Sequence, residues 1–273
     1  MKKFEGVLFC TDLDGTLYSD DKKVSKENLD AIEYFKSEGG LFTFITGRDP
    51  QISMEICDII KPNAPFGCLN GGGIFDMKEN RYLWKKILPD EAMKLVDEVY
   101  RRMPDMGIIF FTEGKILFAR DNEATVYFRS VTGAPLIACD YTAFDKEMLK
   151  VVFAHNDSDQ IEALIDLLDS HPLASQFDFI RSERRLYEIL PKNTNKGSTL
   201  IKMAELLGVD RRRTVAVGDY NNDVSMVELA GVGFAVANAV DEVKSVADYI
   251  TVDNNHSAIA AIIDRLGKGD LKI

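Results

Sequence analysis

Uninterrupted apolar runs of strand length alternate along this chain with segments that repeat an apolar residue every three to four positions. Val7-Leu8-Phe9-Cys10-Thr11 is such a run. From about Ser25, Leu29, Ile32 and Phe35 share one helical face until Gly39-Gly40 ends it. A strand follows over 41–46, and Asp49 then caps a helix that carries Pro50 in its first turn. Residues 66–69 read as a third short buried strand. The same grammar returns after residue 190, with a helix over 195–207 ended by Gly208 and a strand over 214–217. A helix over 224–230 stopped at Gly231 follows, then strands over 234–236 and 249–252. Apolar strands interleaved with helices predict a parallel sheet covered on both faces.

The middle of the chain has another rhythm. Residues 106–111 and 115–119 predict a hairpin about Glu113-Gly114, and 177–180 with 185–190 predict a second one. A strand over 149–153 and an amphipathic helix over 159–168 lie between them. Hairpin-linked strands predict an α+β domain inserted at 82–190, so that 1–81 and 191–273 form one α/β core.

Composition narrows the class of function. Hydrophobic content of 46% and charged content of 28% suit a globular protein with a real core. Lys and Arg number 33 against 44 Asp and Glu, a formal charge of −11, which argues against nucleic acid as a partner. An anionic substrate would need a local positive site. Cys10, Cys57, Cys68 and Cys139 form no C-x-x-C pair, so neither a disulfide framework nor a zinc site is expected, and Cys10 and Cys68 read as buried thiols. Met1 to Glu5 lead into the first strand without a signal-peptide core, and no run has membrane-spanning length. A cytoplasmic protein without a membrane partner is the expectation; oligomeric state is not legible.

Chemistry concentrates where strands end. Asp12 and Asp14 follow the first strand, and alternation along an extended chain sends positions i and i+2 to one side. Such a pair can hold a hard cation or divide labour as nucleophile and general acid. Thr46-Gly47-Arg48, Asn70-Gly71-Gly72 and Gly218-Asp219 with Asn222-Asp223 fall at or beyond other strand ends, where open parallel sheets bind ligands. Lys196 opens a helix, where a cation opposes the dipole unless an anion is near. Gly231-Val232-Gly233 follows a helix and precedes a strand, the wrong order for a dinucleotide fingerprint. His155, His171 and His256 belong to none of these groups.

With these motifs in this order, the chain resembles the haloacid dehalogenase superfamily, specifically its Cof-type phosphatases, over nearly its whole length. The matching pieces are Asp12-Leu13-Asp14-Gly15-Thr16-Leu17, Ile45-Thr46-Gly47-Arg48, Asn70-Gly71-Gly72, Asn195-Lys196-Gly197 and Gly218-Asp219-Tyr220-Asn221-Asn222-Asp223. The tail Met226…Ala230-Gly231…Ala237-Asn238-Ala239 is also similar. The resemblance implies a Rossmann-like core with an inserted cap. It implies that Asp12 attacks a phosphoryl group and that Asp14 protonates the leaving alcohol, then activates water. Mg²⁺ would bind Asp12, the main-chain carbonyl of Asp14 and Asp219, with Asp223 in support. Thr46 and Lys196 would hold phosphoryl oxygens, and Asn222 would orient Asp219 or touch the phosphate. Gly47, Arg48 and Asn70 are further phosphate or substrate contacts. Asp12 should stay ionised, and Asp14 should carry a proton when the alcohol leaves. Two places depart from the family: Pro191 to Asn195 before the lysine, and Ser257-Ala258 where an acidic-Gly pair is usual.

The expected function is Mg²⁺-dependent hydrolysis of a small phosphate ester, such as a sugar phosphate, with the cap closing over the sheet rim. Phe111, Arg120, Arg181, Arg184 and Arg185 are the cap residues available for specificity. Transfer of the phosphoryl group to a sugar hydroxyl, as in a phosphomutase, is the alternative. A binding-only regulator is disfavoured by the intact aspartates, Thr46 and Lys196. A pump-like phosphorylation domain is disfavoured because membrane-spanning runs are missing and Leu13 stands where those pumps carry lysine.

Overall fold

The computed structural model describes residues 2–270, which divide into two compact units. One runs to Trp84 and resumes at Asn195; the other is Lys85–Thr194. Met1 and residues 271–273, counted above with the core, lie outside the described residues.

In the first unit, five parallel strands stand in the order Tyr249–Ile250, Val232–Ala235, Thr214–Gly218, Leu8–Thr11 and Leu41–Phe44. Leu8–Thr11 lies between Thr214–Gly218 and Leu41–Phe44, with Thr11 level with both Val217 and Phe44. The residues after these three strands therefore emerge side by side on one rim. Side-chain alternation splits the core into two layers. Phe9 and Phe42 meet on one face, where Phe35 and Phe4 complete a chain of rings with centroids 4.7 to 5.8 Å apart. Leu8, Cys10 and Ala216 pack on the other face with Leu200, Met203 and Met226.

Capping fixes where the helices begin. Ser25 accepts from the Asn28 N–H, Asp49 from that of Gln51 and Asn195 from that of Ser198, opening Lys26–Ser37, Pro50–Ile60 and Lys196–Leu207. Val224–Leu229, Asp241–Val246 and Ala258–Lys268 complete the described helices of this unit.

Some elements depart from the pattern reading. Phe66–Cys68 meets the parallel sheet through a single bridge, Ile45 to Gly67. Instead it pairs antiparallel with Gly73–Asp76, which with Arg81–Lys85 builds a separate three-stranded sheet. The reversal comes from Leu69 and Asn70, both at positive φ (57° and 54°). The strand expected from residue 234 begins at Val232, which pairs with Val215; at Gly233 a Cβ would lie 2.2 Å from the Val227 carbonyl oxygen. Only Gly lets this strand run so close under its helix. The last strand stops at Ile250 rather than 252.

The second unit is a five-stranded antiparallel sheet in the order Lys115–Arg120, Gly107–Thr112, Lys150–Ala154, Leu186–Pro191 and Phe177–Glu183. Helices Ala92–Arg102 and Ser158–Asp169 cover one face, burying Ile108, Phe110, Val151, Phe153 and Ile189. On the opposite face, Phe128 of helix Glu123–Thr132 sets its ring edge against Phe111 and Phe118.

Candidate active site

Asp12 leaves strand Leu8–Thr11 still tied to the sheet, its N–H donating to the Val217 carbonyl at 3.0 Å. The chain then closes one wide turn over Leu13–Leu17, in which the Tyr18 N–H donates to the Leu13 carbonyl at 2.9 Å. Gly15 takes φ +80° inside this turn, and a Cβ there would lie 2.4 Å from Asp219 Oδ2. The turn thus presses directly on the loop that follows strand Thr214–Gly218.

Asp12, Asp219 and Asp223 each place a carboxylate oxygen within 4.8 Å of the others. Lys196 Nζ stands among them, 2.5 Å from Asp12 Oδ1 and 2.6 Å from Asp223 Oδ1. The free oxygen of Asp223, Oδ2, accepts the N–H groups of Asp219 and Tyr220, which fixes the loop. Thr16 donates its hydroxyl to Asp219 Oδ1 at 2.9 Å. Lys196 is 1% exposed, so the helix start that looked unfavourable for a cation is occupied by two buried anions.

Three acids crowd together while one ammonium binds two of them, and the protonation balance follows from that. Burial, then the charge of Asp223, pushes the Asp12 carboxyl well above the usual range, against the pull of Lys196. Burial and Asp223 raise Asp219 to about 7. Lys196 is shifted up: burial disfavours its charge, but Asp12 and Asp223 together outweigh burial. A buried, all-oxygen set with surplus negative charge suits a hard divalent cation such as Mg²⁺. Such a charge would also bring Asp12 to the ionised form expected of it.

Asp14 does not join this cluster. The strand geometry ends at Asp12, and the two carboxylates take different partners. Arg48 grips Asp14 with two bonds, Nε at 3.0 Å and Nη2 at 2.8 Å, and Lys22 adds a third at 2.8 Å. Burial would raise the Asp14 carboxyl, but Arg48 and Lys22 hold it below its ordinary value. The directions for Asp12 and Asp14 are thus the reverse of those expected from the chemistry, each for a stated electrostatic reason. Arg48 also lies over the Tyr18 ring at 5.4 Å.

The remaining candidates form an adjoining shelf. The Thr46 hydroxyl accepts the Arg48 N–H at 3.3 Å, and the Thr46 carbonyl accepts that of Asn70 at 3.0 Å. Gly47 backs onto the Asn70 amide. Asn222 was expected to orient Asp219 or meet a phosphate; its amide donates to Asn70 Oδ1 at 3.0 Å. His155, His171 and His256 make their described contacts elsewhere.

Among the cap residues proposed for specificity, Arg120 donates to the carbonyls of Tyr100 and Met103 and so ends a helix. Arg181 is bound to Glu162, Ser158 and the Arg184 carbonyl. Arg185 lies over Tyr127. A buried ion pair in this unit escaped the sequence reading: Lys150 and Glu188, each 2% exposed and joined at 2.8 Å. The ammonium lies 4.6 Å from the centre of the Phe111 ring, and Ser182 donates to the other Glu188 oxygen. A lysine and a glutamate at inward positions of adjacent strands were the available signal. Lys22 also went unnoticed, since nothing local marks a solvated turn lysine as the partner of Asp14.

A family model described as haloacid dehalogenase-like hydrolase matches residues 9–263. The chain is 31% identical over 269 residues to YxeH of Bacillus subtilis, covering 95% of this chain and 97% of the relative. It is 28% identical over 288 residues to the 5-amino-6-(5-phospho-D-ribitylamino)uracil phosphatase YwtE of B. subtilis, covering 94% and 97%. A haloacid dehalogenase-like hydrolase from Bacteroides thetaiotaomicron superposes with a TM-score of 0.85 at 24% identity, over 95% of this chain and 99% of the other. No helix among the described residues is long and apolar enough to cross a membrane.

Proposed function

The chain belongs to the haloacid dehalogenase-like hydrolases, and on that premise we propose that it is a Mg²⁺-dependent phosphatase of a small phosphorylated metabolite, with Asp12 as nucleophile. The observation that carries this reading is the buried Asp12–Lys196–Asp223 arrangement with Asp219, set where the central strands of a parallel sheet end.

Phosphoryl transfer is chiefly positioning and charge neutralisation. Asp12, Asp219 and Asp223, with the main-chain carbonyl of Asp14, are the groups that would hold Mg²⁺; when bound, it would offset charge on the phosphoryl oxygens. Asp12 forms a bond to phosphorus as the ester P–O bond breaks, and the departing alkoxide takes the proton from Asp14. Asp14, now a carboxylate, removes a proton from water as that water attacks the same phosphorus, and Asp12 leaves. Lys196 holds Asp12 in line and compensates its charge. The ionised Asp14 under Arg48 and Lys22 is the form this second step uses. For the first step, an incoming ester would offer Arg48 other anionic oxygens and release Asp14 to carry a proton. Thr46 and Asn70 line the neighbouring shelf as phosphate or substrate contacts.

A phosphorylated sugar or sugar alcohol is the substrate class we favour. YwtE, by its name, acts on a phosphorylated ribityl compound, which belongs to that class.

Steady-state hydrolysis of p-nitrophenyl phosphate by the wild type and Asp12→Asn, with Mg²⁺ and with EDTA, tests the proposal. Turnover that requires Mg²⁺ and disappears in folded Asp12→Asn is the expected result. Equal rates in the two proteins would refute the role of Asp12.

A further inference from the structure

Two asparagines remote in sequence from the catalytic motifs bind the turn that carries Asp14. Asn238 donates its amide to the Gly15 carbonyl at 2.8 Å, while its Oδ1 accepts the Asn254 N–H at 3.0 Å. Asn254, buried, donates in turn to the Tyr18 carbonyl and to Asp20 Oδ1, each at 3.0 Å. The two side chains therefore hold the Leu13–Leu17 turn near its middle and just beyond its end. The segment bearing Asn238 is itself tied to the other acidic loop, since the Val240 N–H donates to the Asp219 carbonyl at 2.9 Å. One short stretch of chain thus fastens both the Gly15–Thr16 peptide and the backbone of Asp219.

We infer that Asn238, anchored by Asn254, is a positioning residue that holds the Gly15–Thr16 peptide, and with it the turn carrying Asp14, against Asp219 for divalent-cation binding. The inference rests on the metal reading above and extends it to residues that touch no cation. Gly15 has the freedom of φ +80° and no side chain of its own to hold the peptide plane. Thr16 fixes the Asp219 carboxylate from the same turn, so a rotation of the Gly15 peptide would disturb two groups at once. Outer residues that orient metal-binding groups typically change affinity or activity about 10- to 100-fold when removed. Asn255 provides the contrast: its side chain exchanges hydrogen bonds with Asp20, on the exposed side of the same loop.

The test is Mg²⁺ affinity without turnover, from isothermal titration and from the rise of Tm with Mg²⁺ concentration. It is applied to the full chain as wild type, Asn238→Ala, Asn254→Ala and Asn255→Ala. Asn238 is exposed, so its replacement leaves a folded protein even if the buried Asn254 variant does not. A dissociation constant raised about tenfold or more in Asn238→Ala, and unchanged in Asn255→Ala, is expected. A Tm lowered equally with and without Mg²⁺, at unchanged affinity, would overturn the positioning role. No Mg²⁺ binding by the wild type would overturn the metal reading and this inference with it.

Discussion

Lys196 and Asp12, 184 positions apart in sequence, meet through a 2.5 Å ion pair from which solvent is almost wholly excluded. The same ammonium holds Asp223 at 2.6 Å, so one side chain joins the loops of two neighbouring strands. Removing a single partner of a buried pair typically costs about 3–5 kcal/mol, because the other charge stays behind. Lys196→Met should therefore lower both Tm and kcat, the latter by at least about a hundredfold as the neutralising charge is lost. Thermal unfolding and steady-state kinetics on the same preparation check it; a stable, active Lys196→Met would contradict the assignment.

The grip of Arg48 on Asp14 makes a prediction about proton transfer. Arg48 holds the Asp14 carboxyl below its ordinary value, so Arg48→Ala should raise it. With an alkyl phosphate, whose leaving group needs a proton, the alkaline limb of kcat against pH should move to higher pH. With p-nitrophenyl phosphate, whose leaving group needs little help, the shift should be smaller. Identical profiles for the variant and the wild type would remove Arg48 from control of Asp14.

Metal removal should leave a pH signature in stability. Asp219, raised to about 7, binds its proton more tightly folded than unfolded, where the value is 3.8. Such a group contributes stability that is fully present below the unfolded value and lost as pH rises through the folded one. In EDTA, Tm should therefore fall between about pH 4 and pH 7, the window set by that shift. Saturating Mg²⁺, which binds the deprotonated acids, should shrink the fall. A Tm flat across this window in EDTA would contradict the crowding of acids.

Gly15→Ala tests how tightly the turn and the Asp219 loop are fitted. The backbone at φ +80° disfavours an L-residue by about 1–2 kcal/mol, and the new methyl group would meet the Asp219 carboxylate at 2.4 Å. We expect a modest drop in Tm with a loss of activity much larger than that drop explains. Titration of Mg²⁺ should show the affinity weakened as well.

Which features the sequence revealed follows from where their causes lie. Ser25, Asp49 and Asn195 mark helix starts by local hydrogen bonding, and uninterrupted apolar runs mark the buried strands, so both could be read directly. Ile259, Ile262, Ile263 and Leu266 carried the same helical spacing, yet helix Ala258–Lys268 was not drawn from them. The antiparallel turn-back of Phe66–Cys68 was hidden because positive φ at Leu69 and Asn70 is not a preference of leucine. Asp12 and Asp219 could be nominated because strand ends converge in a parallel sheet, and Lys196 because a cation at a helix start calls for a nearby anion. The pairing of Asn222 with Asn70, and of Lys22 with Asp14, depends on side-chain directions across loops, which no local pattern encodes.

The proposed reaction passes through a covalent intermediate at Asp12. Asp14→Asn should still accept a phosphoryl group from p-nitrophenyl phosphate but lose the base that activates water, so the phosphorylated protein should accumulate. Acid quenching followed by peptide mass mapping locates the label. A phosphoryl group on the peptide containing Asp12, and none in Asp12→Asn, is the expected result. A label on another residue, or wild-type turnover with no label in Asp14→Asn, would contradict it.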